Sequence, residues 1–183
     1  EERIDVYTRV NIVQVKDNGK HKVVVTDING KQRVEFRGKE LLIATGRRGN
    51  TQGLGLERTW VEVDKKGFVK VNDEMETSIP HVFAAGDVAG KRQLVTLAAL
   101  QGSVAAENAL SGTHRKVDYS SVPYTIFTDP EVASVGLKEK EAIIKGYRVK
   151  TTVLDMKLVP KAALMRDTRG LVKMVVEEGT NRV

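Results

Sequence analysis

The chain of 183 residues contains no cysteine. Disulfides, thiolate metal sites and a dithiol redox pair are therefore excluded from it at once. Aromatic residues make up only 5% of the sequence and do not alternate with basic ones, so no stacking platform for a nucleic-acid strand is evident. Histidine is scarce: His21, His81 and His114 stand far apart, in no spacing that resembles a metal-ligand set. No apolar run approaches the ~18 residues of a membrane span, and the acidic start EERID is unlike a signal peptide. Low-complexity tracts are missing too, and 40% hydrophobic with 30% charged residues is ordinary for a folded domain. The net charge of +6 arises from Lys and Arg scattered among Asp and Glu, which reads as a solvated basic surface. A soluble cytoplasmic protein with no metal site, no membrane contact and no nucleic-acid partner is expected.

What is present begins with alternation. Val10, Ile12, Val13 and Val15, then residues 21–26 and 31–37, are separated by the turns KDNG and DING, which predicts a three-stranded antiparallel meander. Residues 40–44 (ELLIA) instead form a nearly continuous apolar run closed by Thr45 and Gly46, the pattern of a buried parallel strand. A polar loop fills 47–60, a short strand is expected at 67–71, and residues 82–85 (VFAA) read as a second buried parallel strand. Residues 94–110 have helical composition and stop at Ser111 and Gly112. Beyond 113 the pattern predicts strands at 122–128 and 131–136 joined at Asp129-Pro130, a short helix at 138–145, and strands at 147–154 and 171–176. The turn EGTN at 178–181 launches a strand that only Arg182 and Val183 follow, and residues 4–7 read as a strand without its neighbour. Both features are expected of an internal piece of a longer protein, with an unpaired apolar edge at 171–176.

The most informative local pattern is TSIPHVFAAGD, residues 77–87. An apolar strand there delivers Gly86 and Asp87 to the carboxyl end of a sheet, where open α/β folds bind ligands. Glycine lets a ligand approach the backbone, and an ionised Asp accepts charge-assisted bonds from sugar or ribityl hydroxyls. Gly-Asp also simply terminates strands, so the pattern alone leaves both readings open. Gln93-Leu94-Val95-Thr96 then opens the helix, whose free amides and positive dipole end suit negative charge. The body of that helix reads equally well as core.

Three ordered segments, IATGRRGN at 43–50, TSIPHVFAAGDVAG at 77–90 and VPYTIFTDPEVASVGLKEKEA at 122–142, together resemble the pyridine nucleotide-disulfide oxidoreductase family. Within the family, QLVTLAALQG and VPKAALMRDTRGLVKMVVEEGT are most similar to mercuric reductases, and next to dihydrolipoamide dehydrogenases. The resemblance implies an α/β fold with two dinucleotide-binding domains and an α+β dimerisation domain. Residues 1–50 then correspond to the second part of the NAD(P)-binding domain, 51–112 to the second part of the FAD domain and 113–183 to the first part of the dimerisation domain. It further implies that Asp87, beside Gly86, binds the flavin ribityl chain, and that Gln93, Leu94, Val95 and Thr96 lie along the isoalloxazine. Gly46 would approach the nicotinamide nucleotide, and the backbone at Val10 its adenosine side. FAD and NAD(P)H are the implied cofactors, a homodimer the implied assembly, and a small molecule or metal ion the substrate.

Two departures are visible. Gly49 stands where the family usually has proline, which implies a looser loop, and Thr96 stands where lipoamide enzymes commonly have histidine. Residues 53–58 (GLGLER) begin like a dinucleotide fingerprint but follow a polar loop and end in Arg. The chain is therefore expected to position a flavin without being competent alone. The rival reading is a non-catalytic self-association module, for which the missing cysteines speak.

Overall fold

The computed structural model describes residues 3–183, so the acidic start at Glu1 and Glu2 lies outside the described residues. The chain folds as two units, one closing at Gly46 and the other comprising Arg47–Val183.

The first unit is the expected meander of β1 (Val10–Asp17), β2 (Lys22–Ile28) and β3 (Gln32–Gly38), antiparallel in that order. Asn29 and Gly30 both adopt positive φ, 53° and 67°, and the Lys31 N–H closes the turn on the Ile28 carbonyl at 3.1 Å. An Asn-Gly pair is the favoured solution for such a tight hairpin. The β1–β2 register slips between Ile12 and Gln14, which leaves Val13 as the extra residue of a bulge. This explains why the apolar alternation changes phase at Ile12-Val13. The central strand carries the burial, with Val23, Val25 and Thr26 inside. The Thr26 hydroxyl donates to the Val34 carbonyl at 3.1 Å, which satisfies the polar group there.

Several expected strands are absent. Residues 4–7 form none, although the Tyr7 ring packs on Phe36 with centroids 4.7 Å apart. Residues 40–44 are irregular, with Leu42 90% and Ile43 71% exposed. A parallel strand exists only through hydrogen bonds to neighbours reached by crossovers, and no described segment pairs with this one. Residues 82–85 are likewise no parallel strand. Phe83 forms one antiparallel bridge with Glu76, and the Ala84 N–H donates to the Met75 carbonyl at 3.1 Å. The expected strand at 67–71 is reduced to a bridge between Val69 and Val63.

The second unit is organised around α1 (Val95–Ser111), which ends where Gly112 turns left-handed at φ 62° and bonds back to the Asn108 carbonyl. One stripe of α1 is buried: Leu97, Gln101, Val104 and Asn108. Leu97 and Val104 form the core with Met75, Val117 and Val122, and Phe83 and Leu94 pack against it. Asn108 ties the helix to its surroundings by donating to the carbonyls of Glu74 and Arg115 and accepting from the Arg115 N–H and the Thr113 hydroxyl.

The later elements follow the sequence closely: hairpin β4 (Tyr124–Ile126) and β5 (Val132–Ser134), helix α2 (Glu139–Ile144), and β6 (Val149–Asp155) paired antiparallel to β7 (Leu171–Glu177). The β6–β7 connection contains α3 (Pro160–Leu164), started by its proline at the first position. The second edge of β7 has no partner among the described residues. Arg169 fixes the approach to β7 by pairing with Asp129 at 2.5 Å and Asp167 at 2.8 Å. The Arg169 side chain, and then its backbone N–H, hold the Asp167 carboxyl down at about 2. Among the described residues no helix is long and apolar enough to cross a membrane.

Candidate functional site

Gly86 and Asp87 begin a short 3₁₀ helix, Gly86–Ala89, that leads through Gly90 into α1. Gly86 has φ +80°, a conformation that only glycine adopts without strain. Its flank lies against the second turn of α1, since a Cβ built there would meet Ala98 Cβ at 3.5 Å. Asp87 points its carboxylate outward, with a side-chain exposure of 61%, and accepts from the Arg47 guanidinium at 3.3 Å. Such an exposed pair is weak and exchangeable, so Asp87 stays open to another donor.

The start of α1 faces solvent without a side-chain cap. The first intrahelical bond is from the Ala98 N–H to the Leu94 carbonyl at 2.9 Å, which leaves the N–H groups of Val95, Thr96 and Leu97 free of helical acceptors. Val95 is 89% exposed, so nothing apolar covers this turn. Gln93 and Leu94 act inward. Gln93 Nε2 donates to the Gly90 carbonyl at 3.2 Å, and Leu94 packs on the core. The Thr96 hydroxyl donates to the Pro123 carbonyl at 3.5 Å.

The second unit thus brings Gly86, Asp87 and residues 93–96 together in one short stretch. Val10 and Gly46 belong to the first unit. Val10 opens β1 opposite Ile28, while Gly46, at φ 115°, has nothing within 4 Å of where a Cβ would stand. Two residues were not singled out from the sequence. Arg47 reaches Asp87 across 40 positions, which no local pattern reveals. Gln101 was detectable in principle, as a polar residue on the apolar stripe of α1.

Beside this stretch, Lys91 donates to Asp73 at 2.5 Å and lies 4.4 Å above the Tyr119 ring. That ammonium holds the Asp73 carboxyl below the usual carboxylate range. The donor set suits a flavin: an outward carboxylate for polyol hydroxyls, next to uncapped amides that can face a negatively charged ring edge.

Comparison with known proteins gives the family of the chain. The profile of the pyridine nucleotide-disulphide oxidoreductase family matches residues 1–102, and that of its dimerisation domain matches residues 122–183. The chain belongs to the pyridine nucleotide-disulphide oxidoreductase family, whose members use FAD and NAD(P)H. Its fold class is accordingly an α/β flavoprotein followed by a dimerisation domain. It is 42% identical to a mercuric reductase of Streptomyces lividans, matching over 100% of this chain and 38% of that protein. A dihydrolipoyl dehydrogenase of Thermus scotoductus is 41% identical over 91% of this chain and 35% of its own length. Among solved structures, the Cu(II) complex of an HOCl-induced flavoprotein disulfide reductase from Escherichia coli superposes with a TM-score of 0.79 at 26% identity, covering 94% of this chain and 38% of that one. The chain therefore spans little more than a third of the length of these relatives.

Proposed function

We propose that this chain is the flavin-positioning and dimerising portion of an FAD-dependent NAD(P)H oxidoreductase of the mercuric reductase and dihydrolipoamide dehydrogenase type. The observation that carries the reading is Asp87 set beside the uncapped first turn of α1. Bound flavin supplies hydride acceptance from a nicotinamide and electron delivery to a cysteine pair. In this chain, Asp87 accepts ribityl hydroxyls in place of the exchangeable Arg47 contact, with Gly86 keeping the approach clear. The amides of Val95, Thr96 and Leu97 stabilise negative charge at the ring edge. The open backbone at Gly46, and that at Val10, serve the nicotinamide nucleotide. Residues 1–50, 51–112 and 113–183 then belong to the NAD(P), FAD and dimerisation domains. With no cysteine among its residues, the chain supplies positioning and not the thiols that reduce a mercuric ion or a disulfide.

The test is FAD titration followed by amide resonances. Millimolar FAD is expected to shift Gly86, Asp87, Val95, Thr96 and Leu97, with an affinity weaker than micromolar because this stretch holds no pyrophosphate fingerprint. Asp87→Ala is expected to weaken binding about tenfold, the worth of one charge-assisted hydrogen bond. Shifts confined to other residues, or an Asp87→Ala affinity equal to the parent's, would count against the flavin assignment.

A second reading, self-association without catalysis, draws on β6 and β7, where Val153, Leu171 and Met174 are exposed beside a strand edge that has no partner among the described residues. An apolar edge is a template for another chain. Light scattering is expected to show dimers or larger species for the parent and a lower mass for Val175→Lys, whose charge on β7 opposes strand addition. A strictly monomeric parent at high concentration would remove this support for the interface.

A further inference from the structure

We infer that Gln101 is the positioning residue that sets Gly86, and through it the direction of Asp87. The inference rests on the flavin reading above. It starts from an oddity of α1: its buried stripe is apolar at Leu97 and Val104 but polar at Gln101 and Asn108. A buried amide costs free energy unless its oxygen and nitrogen both find partners. Asn108 spends its bonds on Glu74, Thr113 and Arg115, which are structural ties. Gln101, only 1% exposed, spends its oxygen on the site.

Gln101 Oε1 accepts the Gly86 N–H at 2.8 Å. That amide is the first of its 3₁₀ helix, where no earlier turn offers a carbonyl, so the side chain supplies the acceptor that the backbone lacks. Gln101 Nε2 donates to the Tyr119 hydroxyl at 3.4 Å. This second bond selects which way the amide faces, oxygen toward Gly86 and nitrogen toward Tyr119. Tyr119 is steadied in turn by Lys91 over its ring, and Lys91 by Asp73. A chain of contacts therefore runs from the surface to the Gly86 N–H, in the peptide one residue before Asp87. Glycine at φ +80° has no side chain to hold its own conformation, so an external hold decides where the next carboxylate points. A leucine at 101 would fill the stripe without desolvating an amide; the glutamine is explained by what it holds.

The test compares Gln101→Met, which keeps the volume and removes the acceptor, with Gln101→Glu, which keeps an acceptor, and Tyr119→Phe, which frees the amide to flip. Three quantities are read: hydrogen exchange at the Gly86 amide, the midpoint of the FAD-induced shifts, and the melting temperature. Gln101→Met is expected to speed Gly86 exchange and weaken FAD by about tenfold each, the loss of one buried hydrogen bond. Gln101→Glu is expected to restore Gly86 protection, and Tyr119→Phe to speed exchange by less. Asn108→Leu, on the same buried stripe, is expected to lower the melting temperature without moving Gly86 exchange or the FAD midpoint. The proposal is overturned if Gln101→Met leaves Gly86 exchange unchanged, or if Asn108→Leu accelerates it equally. Accelerated exchange with an unaltered FAD midpoint also overturns it, while leaving the flavin reading intact. Absence of FAD shifts at Gly86 and Asp87 in the parent overturns the flavin reading and, with it, this role.

Discussion

Gly49→Ala is expected to destabilise the unit Arg47–Val183 by about 3 kcal/mol, the upper end of what overpacking costs. A Cβ at this position would stand 2.1 Å from the Gly67 carbonyl oxygen, 2.4 Å from its carbon and 2.8 Å from the Phe68 nitrogen. All three are backbone atoms, so no side-chain rotation relieves the contact. Nor is the opposing segment free to retreat. The Gly67 carbonyl accepts from the Thr51 hydroxyl at 2.8 Å, the Gly49 N–H donates to the Lys66 carbonyl at 2.9 Å, and Asp64 Oδ1 holds the N–H groups of Lys66 and Phe68. Phe68 is buried and lies so close over Gly90 that a Cβ there would be 2.6 Å from its ring. Displacing residues 67–68 therefore pushes Phe68 into the segment that carries Asp87. The sequence suggested a looser loop at Gly49; the structure shows a close backbone crossing that leaves no room for a Cβ in this chain. Gly53→Ala serves as the control, since Gly53 has φ +81° but nothing within 4 Å, and a cost of only ~1–2 kcal/mol from the left-handed backbone is expected. Urea denaturation followed by helical circular dichroism measures both. Equal costs for the two would show that the crossing yields.

The difference between Gly49 and Gly53 also marks what could be read in advance. Local chemistry was legible: Asn29-Gly30 specified its hairpin, and Gly112 and Gly146 ended their helices. The parallel strands at 40–44 and 82–85 were not, because a continuous apolar run states that burial is required without stating what supplies it. Leu42 and Ile43 remain exposed for want of a partner among the described residues, and Phe83, half-buried, packs against the core cluster by a different route. Within the candidate site, Asp87 and the opening of α1 were visible because an apolar run, a glycine, a carboxylate and a helix start are adjacent in sequence. Arg47, 40 positions from its carboxylate, and Gln101, 15 from its amide, act across distances that periodicity does not encode.

Leu97→Ala is expected to cost about 3 kcal/mol, within the range for removing a buried leucine side chain from a core that cannot collapse around the gap. Leu97 is fully buried and sits in the first turn of α1, among Met75, Val104, Val117 and Val122. It has to fill this place because the turn is anchored on one side only: two residues earlier Val95 is 89% exposed, and the amides beside it have no cap. One apolar side chain thus joins the candidate ligand-facing turn to the core, and the neighbouring segments cannot take over its volume. Met75 is held by its own backbone bonds to Asn72 and Ala84, and Val117 by its N–H to the Asp73 carbonyl, so the walls of the gap are fixed. Val95→Ala removes an apolar side chain from the same turn and is expected to change stability by no more than about 0.5 kcal/mol. The contrast is read from urea midpoints of the two variants, with the denaturation slope unchanged. A cost for Leu97→Ala below ~1 kcal/mol, or equal to that of Val95→Ala, would mean that α1 is not held to the core through its first turn.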